Sequence, residues 1–295
     1  MKVLDEAHGD EWTLYNGDSA EVITGIPDAS VGLTVFSPPF RDLYVYSDSP
    51  RDMGNCESPE AFDRRYGILA RELLRITKPG RLCCVHCSDL PRQKWKEGVI
   101  GISDFPGDLI RIHEAAGWVL HSRVHVWKDP VTEMQRTKAL GLLYSAMLAD
   151  STRSRVGIGD QVLVFRRWPQ SGEETSPVTH SKSDFTVDQW QEWASPMWTT
   201  IDQTNTLNAR VARGDGDEKH LCPLQLDLID RCVQLWSNPG DVVFSPFAGI
   251  GSELVRAVHL GRRAMGVELK PEYYRHAVMN LRGAGAQMSL FGGVA

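Results

Sequence analysis

Apolar positions along the chain follow two periods. Val31 to Phe36 (VGLTVF) is apolar without strict alternation and predicts a strand buried on both faces. Ahead of it, Trp12 to Tyr15 predicts a strand or hairpin arm, Gly17 and Asp18 a loop, and Ala20 to Gly25 a helix. Residues 41 to 58 are polar and predict a long loop. Residues 59 to 77 carry apolar side chains at helical spacing, with Ser58 as cap and Pro59 in the first turn. Lys78-Pro79-Gly80 breaks that helix, and Arg81 to Cys87 is the next strand. Phe105 to Ala116 predicts a helix ended by Gly117, followed by strands at Trp118 to Trp127 and Asp160 to Arg167. Between those two strands, Thr132 to Leu148 predicts one inserted helix. Residues 168 to 219, rich in Ser, Thr, Asp and Trp, lose clean periodicity. From Leu224 helix, strand and helix alternate again to the region of Arg282. Strands alternating with helices predict an α/β fold with a mostly parallel sheet.

Composition narrows this little. A chain of 295 residues holds one large domain or two small ones. The formal charge of −6 excludes a uniformly basic coat but not a local basic groove. Acids in MKVLDEAHGDEW stand where a secretory signal needs an apolar core, and no apolar run is long enough for a membrane span. Six cysteines without framework spacing read as reduced thiols of a cytoplasmic protein. Cys83, Cys84, His86 and Cys87 (LCCVHC) offer either zinc ligands or a buried strand with cysteine as a small hydrophobe. Cys56, Cys222 and Cys232 stand alone and supply no second ligand pair, so no metal is expected.

The block from Gly240 carries the first chemistry. Val242 to Phe244 is a strand, Ser245 to Gly251 a glycine-bearing loop, Ser252 to Leu260 a helix and Ala264 to Val267 a second strand. Glu268 stands at that strand's carboxyl end, and Pro271 opens another helix. A βαβ unit with glycines at its first turn and an acid roughly 20 residues on is a nucleotide-binding pattern. Gly249 and Gly251 let the backbone approach a ligand, and Glu268 can accept both ribose hydroxyls. A dinucleotide fingerprint needs a third glycine where this chain has Leu254, so the loop suits a nucleoside without phosphates. The alternative is a glycine turn of purely structural use.

A second motif lies in VFSPPF, residues 35 to 40. Pro38 and Pro39 cannot donate backbone hydrogen bonds, so the strand must stop there. SPPF together with SPFAGIGS near the end resembles the paired signatures of the DNA amino-methyltransferases. Those enzymes use S-adenosylmethionine to methylate an exocyclic base nitrogen, and the order with SPPF first resembles their beta class. LYNGDS (14 to 19) and HLCPLQ (220 to 225) extend the similarity. The resemblance implies a Rossmann-like methyltransferase sheet with helices on both faces, plus a smaller target-recognition region. It implies a cofactor site made by Asp18, at the adenine, with Ser245, Phe247, Ala248, Gly249, Gly251, Ser252 and Glu268. Ser245 departs from the family, which often has an acid there to hold the cofactor's ammonium.

The resemblance places Ser37, Pro38, Pro39 and Phe40 at the target base. An exocyclic amine is a poor nucleophile because its lone pair is conjugated into the ring. Two acceptors aimed at its hydrogens, the Ser37 hydroxyl and the Pro38 carbonyl, would draw the nitrogen toward tetrahedral geometry, and the prolines preorganise that carbonyl. Phe40 offers a face to the base, which must be flipped from the duplex. No covalent intermediate is needed, and no Pro-Cys motif of the carbon-5 kind stands out. Serine in this motif is more usual for N4-cytosine and aspartate for N6-adenine; N4-cytosine is expected and adenine stays open. An RNA or protein-amide methyltransferase and an inactive DNA-binding relative are the remaining alternatives.

By position, residues 1–167 form the catalytic half with 128–160 as an inserted helical arm, 168–219 the target-recognition segment and 220–295 the cofactor-binding half. Lys128, Arg136, Lys138, Arg153, Arg155, Arg166 and Arg167 outnumber Asp129, Glu133, Asp150 and Asp160, a local basic excess suited to DNA phosphates. Trp190, Trp193 and Trp198 read as a small core before base contacts. No nuclease motif stands out; the partner expected is double-stranded DNA with a flipped target base, and a separate cognate nuclease and a homodimer are both left open.

Overall fold

The computed structural model describes residues 3–41, 51–92, 98–137, 142–207 and 223–291, without the side chains of 136, 137 and 286–291. Strands β1 (Asp5–His8), β2 (Trp12–Asn16), β3 (Val31–Phe36), β4 (Thr77–Ser88), β7 (Val119–Val126), β8 (Asp160–Arg166), β9 (Met197–Trp198), β10 (Val242–Ser245) and β11 (Arg263–Glu268) form one sheet. A separate hairpin joins β5 (Leu90–Arg92) and β6 (Gly101–Ser103). The helices are α1 (Ser19–Val22), α2 (Pro59–Ile76), α3 (Phe105–Ala115), α4 (Pro130–Thr137), α5 (Tyr144–Ala149), α6 (Val187–Trp193), α7 (Leu226–Trp236), α8 (Ser252–His259) and α9 (Pro271–Phe291).

The strand order is β1-β2-β11-β10-β3-β4-β8-β7-β9. The middle five, β2 to β4, run parallel; β8 is antiparallel to both β4 and β7, and β1 to β2. Successive residues of the central strands feed opposite faces. Leu33 and Val35, Cys84, Val162 and Val164, and Val243 pack with α7, α8 and α9 on one face. Phe36, Cys83 and Val85, Leu163 and Phe165, and Phe244 pack with α1, α2 and α3 on the other. The α/β reading with helices on both faces is therefore the observed architecture.

Chain direction sets the site. From β10 the chain crosses by α8 to β11 on one side; from neighbouring β3 it crosses by α2 to β4 on the other. Strand order reverses between β10 and β3, and the crevice outside the carboxyl ends at such a switch is where open α/β sheets bind ligands. Both loops of interest, SPFAGIG after β10 and SPPF after β3, open there.

Several elements differ from the sequence pattern. Strand β4 begins at Thr77, directly after α2, and takes in Lys78-Pro79-Gly80. Its pairing with β3 shifts between Val31 and Leu33, and Gly80 has φ +80°, so the expected breaker acts as an irregularity inside a strand. The single helix expected over 132 to 148 is two, α4 and α5, with Leu143 extended at φ −73°, ψ 135° before the second. In sequence, Gly141 between them weakens a continuous helix. The 168–207 stretch contributes α6 and β9, which adds a parallel edge to β7. Trp198 is fully buried and the Arg231 guanidinium stacks on it and on Trp193, at 4.9 and 5.1 Å, whereas Trp190 is exposed. Cys83, Cys84 and Cys87 point into the two cores, and burial pushes their thiols up. Among the described residues no helix is long and apolar enough to cross a membrane.

Candidate active site

The β10–α8 loop is built as a cradle. Gly249 has φ +54° with open space where a side chain would stand, and its N–H donates to Glu268 Oε2 at 2.8 Å. Gly251 has φ +88° and lies against α9, where an added Cβ would meet Ala277 at 3.2 Å. Phe247, Ala248 and Ser252 complete the loop; Ala248 N–H donates to Val267 O at 2.9 Å, and Ser252 opens α8 and is buried. Glu268 is held at both oxygens, since Lys270 N–H donates to Oε1 at 2.8 Å. A carboxylate has lone pairs to spare after two such bonds. Burial raises the Glu268 acid to about 7, against the pull of those two N–H groups. Asp18 caps α1 by accepting from Ala20 N–H at 2.9 Å, and burial raises its acid also. Asn16 donates to the Glu268 and Leu269 carbonyls at 2.7 and 3.1 Å, and Ser19 donates to the Pro246 carbonyl, so the LYNGDS segment is tied to the cradle. Ser245 is fully buried, and its hydroxyl has no hydrogen-bond partner among the described residues.

Leu254 has its own reason here. Its side chain fills the space over Gly266, where an added Cβ would lie 2.6 Å from Leu254 Cδ1. Close packing of helix on strand is thus secured by a glycine on β11 instead of one on α8.

The SPPF loop stands on the other side of the switch. Phe36 and Phe247 meet at 5.8 Å between ring centroids, joining the two loops. Pro38 and Pro39 are buried, and Phe40 is half-buried with its ring 5.9 Å from that of Phe105. Ser37 is half-buried; its hydroxyl donates to the His86 carbonyl at 3.1 Å and lies 3.3 Å from His86 Nδ1. The register explains the meeting: Phe36 pairs with Val85 in the parallel ladder, so Ser37 emerges beside His86.

Arg41 anchors the loop and was not foreseen. It has φ +48°, turning the chain directly after Phe40. Its guanidinium is buried over Phe62 and Phe105, at 5.8 and 5.2 Å, and pairs with Asp63 at 2.8 Å and Asp108 at 2.7 Å. The two acids are partly exposed, which tempers the pair. Arg41→Met is expected to cost about 1–3 kcal/mol through lost stacking and two unpaired acids. Urea unfolding reads this; an unchanged midpoint would free the loop from dependence on Arg41.

His86, Asp160 and Glu253 also escaped the sequence reading. His86 appeared only as a zinc candidate, yet its place near the carboxyl end of a strand neighbouring β3 was the available signal. Glu253, buried in the first turn of α8, has its acid raised to about 8 by burial, with Glu268 adding to the effect.

The basic patch is divided. Lys128 Nζ lies 2.5 Å from the buried Asp160 Oδ1. Arg155 approaches Glu133 at 3.6 Å, and Arg153 is exposed in a short 3-10 turn, Ser151–Arg153. Arg166 stacks on Trp168 and Arg167 pairs with Glu173 at the opposite end of β8. The Arg136 side chain and Lys138 lie outside the described residues. Beside Lys128 and Asp160 opens a cleft of about 350 Å³ lined by His125, Trp127, Pro130 and Met197 among others.

A sheet of this order, with a glycine cradle and an acid at the next strand end, defines the Rossmann-like methyltransferase class. Comparison narrows the class. A family model described as DNA methylase, of the N6/N4 kind, matches residues 31–279, and the chain belongs to that family, with its motifs in the beta order. The Type II methyltransferase M.MjaI of Methanocaldococcus jannaschii is 22% identical over 267 residues, 83% of this chain and 82% of its own. In fold, the PvuII DNA methyltransferase, described as cytosine-N4-specific, gives a TM-score of 0.67 at 18% identity, covering 95% of this chain and 90% of its own. A Thermus thermophilus protein assigned as a DNA modification methylase, solved with S-adenosyl-L-methionine, gives 0.65 at 24%, covering 92% and 93%. The protein is an S-adenosylmethionine-dependent DNA methyltransferase. Its own residues fit that cofactor: the unpartnered buried Ser245 hydroxyl, the open face at Gly249 and the spare lone pairs of Glu268.

Proposed function

We propose that the protein methylates N4 of cytosine in double-stranded DNA, on a base flipped into the crevice between the two loops. The observation that carries this is the Ser37 hydroxyl: a neutral acceptor at the end of β3, across the switch from the glycine cradle. S-adenosylmethionine supplies a sulfonium-activated methyl group when bound. Glu268 accepts from its ribose, Asp18 faces its adenine, and Ser245 with the N-terminus of α8 receives its amino-acid end; Phe247, Ala248, Gly249, Gly251 and Ser252 shape the wall. Ser37 and the Pro38 carbonyl accept from the target amine and localise its lone pair; Pro39 stiffens the turn, and the free face of Phe40 meets the base. Cytosine presents an acceptor-rich edge beside its amine, which a hydroxyl approaches without the repulsion a carboxylate would bring.

Duplex DNA is held in this reading by Lys128, Arg136, Lys138, Arg153 and Arg155, with residues 168–219 reading the site. Cys56, Cys83, Cys84, Cys87 and Cys232 carry free thiols, which fits a cytoplasmic setting. The Type II relative supports a separate cognate nuclease as companion, and a homodimer is the assembly to test. Plasmid methylated in vitro, digested to nucleosides and resolved by chromatography with mass detection, is expected to yield N4-methylcytosine. N6-methyladenine as the sole product would overturn the cytosine assignment and leave amino-methylation standing.

A further inference from the structure

We propose that His86 and Asp160 form a relay behind Ser37 that receives the proton released by the target amine. The inference rests on the amino-methylation reading above. Four side chains from four parts of the chain line up. Ser37 Oγ lies 3.3 Å from His86 Nδ1. His86 Nε2 lies 3.0 Å from Asp160 Oδ2, off the line of a hydrogen bond but close enough for the carboxylate to favour a proton on that nitrogen. Asp160 Oδ1 lies 2.5 Å from Lys128 Nζ. His86 and Asp160 are 8% and 2% exposed. An isolated buried histidine and carboxylate are costly, and packing alone would be served as well by apolar residues. The row instead ends on the one hydroxyl of the SPPF motif.

The charges are set for the task. Burial would raise the Asp160 acid, but His86 and Lys128 outweigh it and hold the group down at about 2. Asp160 is therefore an anion at every working pH. It favours the His86 tautomer with the proton on Nε2, which leaves Nδ1 bare toward Ser37. The same logic orders Ser-His-Asp triads on unrelated folds. Other titratable groups around this end of β4 and β7 are Cys87, Asp89, Asp104, Arg123 and His125.

The proton balance closes through these atoms. The amine nitrogen bonds the methyl carbon as the sulfur–carbon bond breaks and its electron pair stays on sulfur. The nitrogen then carries one proton too many. That proton passes to Ser37 Oγ while the serine's own proton passes to His86 Nδ1, after the hydroxyl turns from the His86 carbonyl to the ring. Asp160 balances the imidazolium, and solvent takes the proton before the next cycle. His86 and Asp160 are positioning residues acting through Ser37.

The test is single-turnover methyl transfer to unmethylated plasmid across pH, at saturating cofactor so that Glu268 does not enter. In the wild-type protein the rate should rise through the range in which an imidazole titrates. His86→Gln and His86→Ala should lower it about a hundredfold and abolish that limb, with cofactor affinity unchanged. Nitrogen-15 NMR of the histidine rings, without cofactor or DNA, supplies a second reading: Asp160→Asn should redistribute the His86 ring proton between Nε2 and Nδ1. Variants that are slow yet keep the limb, or an unchanged ring tautomer in Asp160→Asn, would overturn the relay. Absence of methyl transfer by the wild-type protein would instead sink the amino-methylation reading, and the ring tautomer would still decide on the His86–Asp160 coupling.

Discussion

Ser37→Ala is expected to lower the single-turnover rate about a hundredfold or more while leaving S-adenosylmethionine affinity within about twofold. The hydroxyl sits at the end of β3, and the groups we propose for the cofactor follow β2, β10 and β11, on the other side of the switch. Cofactor binding should therefore not feel its loss. The amine of the target base should, because its lone pair becomes available only as the nitrogen moves out of the ring plane. An acceptor that strengthens along that path acts on the transition state, and its loss appears in kcat. The Pro38 carbonyl remains in the variant, so residual turnover is expected. A wild-type single-turnover rate would remove Ser37 from the reaction; a rate loss matched by lost cofactor binding would make the residue structural.

The parts of the site that one stretch of chain builds alone were legible. VFSPPF announces a buried strand and its stop, and SPFAGIGS followed by Glu268 announces a strand, a cradle and an acid. In both cases neighbouring residues carry the signal, because a proline terminates its own strand and a glycine permits its own φ. What pairing between distant strands creates was not legible. Ser37 meets His86 across 49 positions because β3 and β4 run parallel in a fixed register. Asp160 joins them because β8 folds back antiparallel against β4, pairing with Ser88. Within LCCVHC the histidine looked like one more buried or ligating residue, since alternation shows the face a side chain takes and not what stands opposite.

Leu254 shows the same limit in another form. The missing fingerprint glycine was correctly an argument against a dinucleotide loop, but its physical use was already met at Gly266, whose bare backbone admits the leucine. Tight helix–strand packing needs one small residue at the contact, on either element. Arg41 is a third case. In sequence it is one charge at the head of a polar stretch; in the fold it is buried between two aromatic rings and two acids, and it fixes the turn that presents Phe40.

Glu268→Gln is expected to weaken S-adenosylmethionine binding about 10- to 100-fold, the loss of a hydrogen-bonded charge at a ligand. The substitution keeps size but not bonding. Gly249 N–H and Lys270 N–H each donate to one carboxylate oxygen at 2.8 Å. An amide offers one oxygen and one NH2, so a donor must face a donor whichever way it turns, and the ribose loses an acceptor. The wild-type group also imposes a pH dependence. Its acid is raised to about 7, so near pH 6 most of the unbound protein is protonated there. A ribose that donates to this group selects the anion. Affinity should then fall as pH drops below 7, approaching tenfold per unit, and binding near pH 6 should release a proton. In the unbound protein the sign is opposite: the raised acid favours folding at low pH, and that contribution is lost as pH rises from the unfolded value of 4.5 through 7. Calorimetric titration in two buffers of different ionisation enthalpy measures affinity and proton count together. Equal affinity at pH 6 and pH 8, with no proton released, would place the ribose elsewhere.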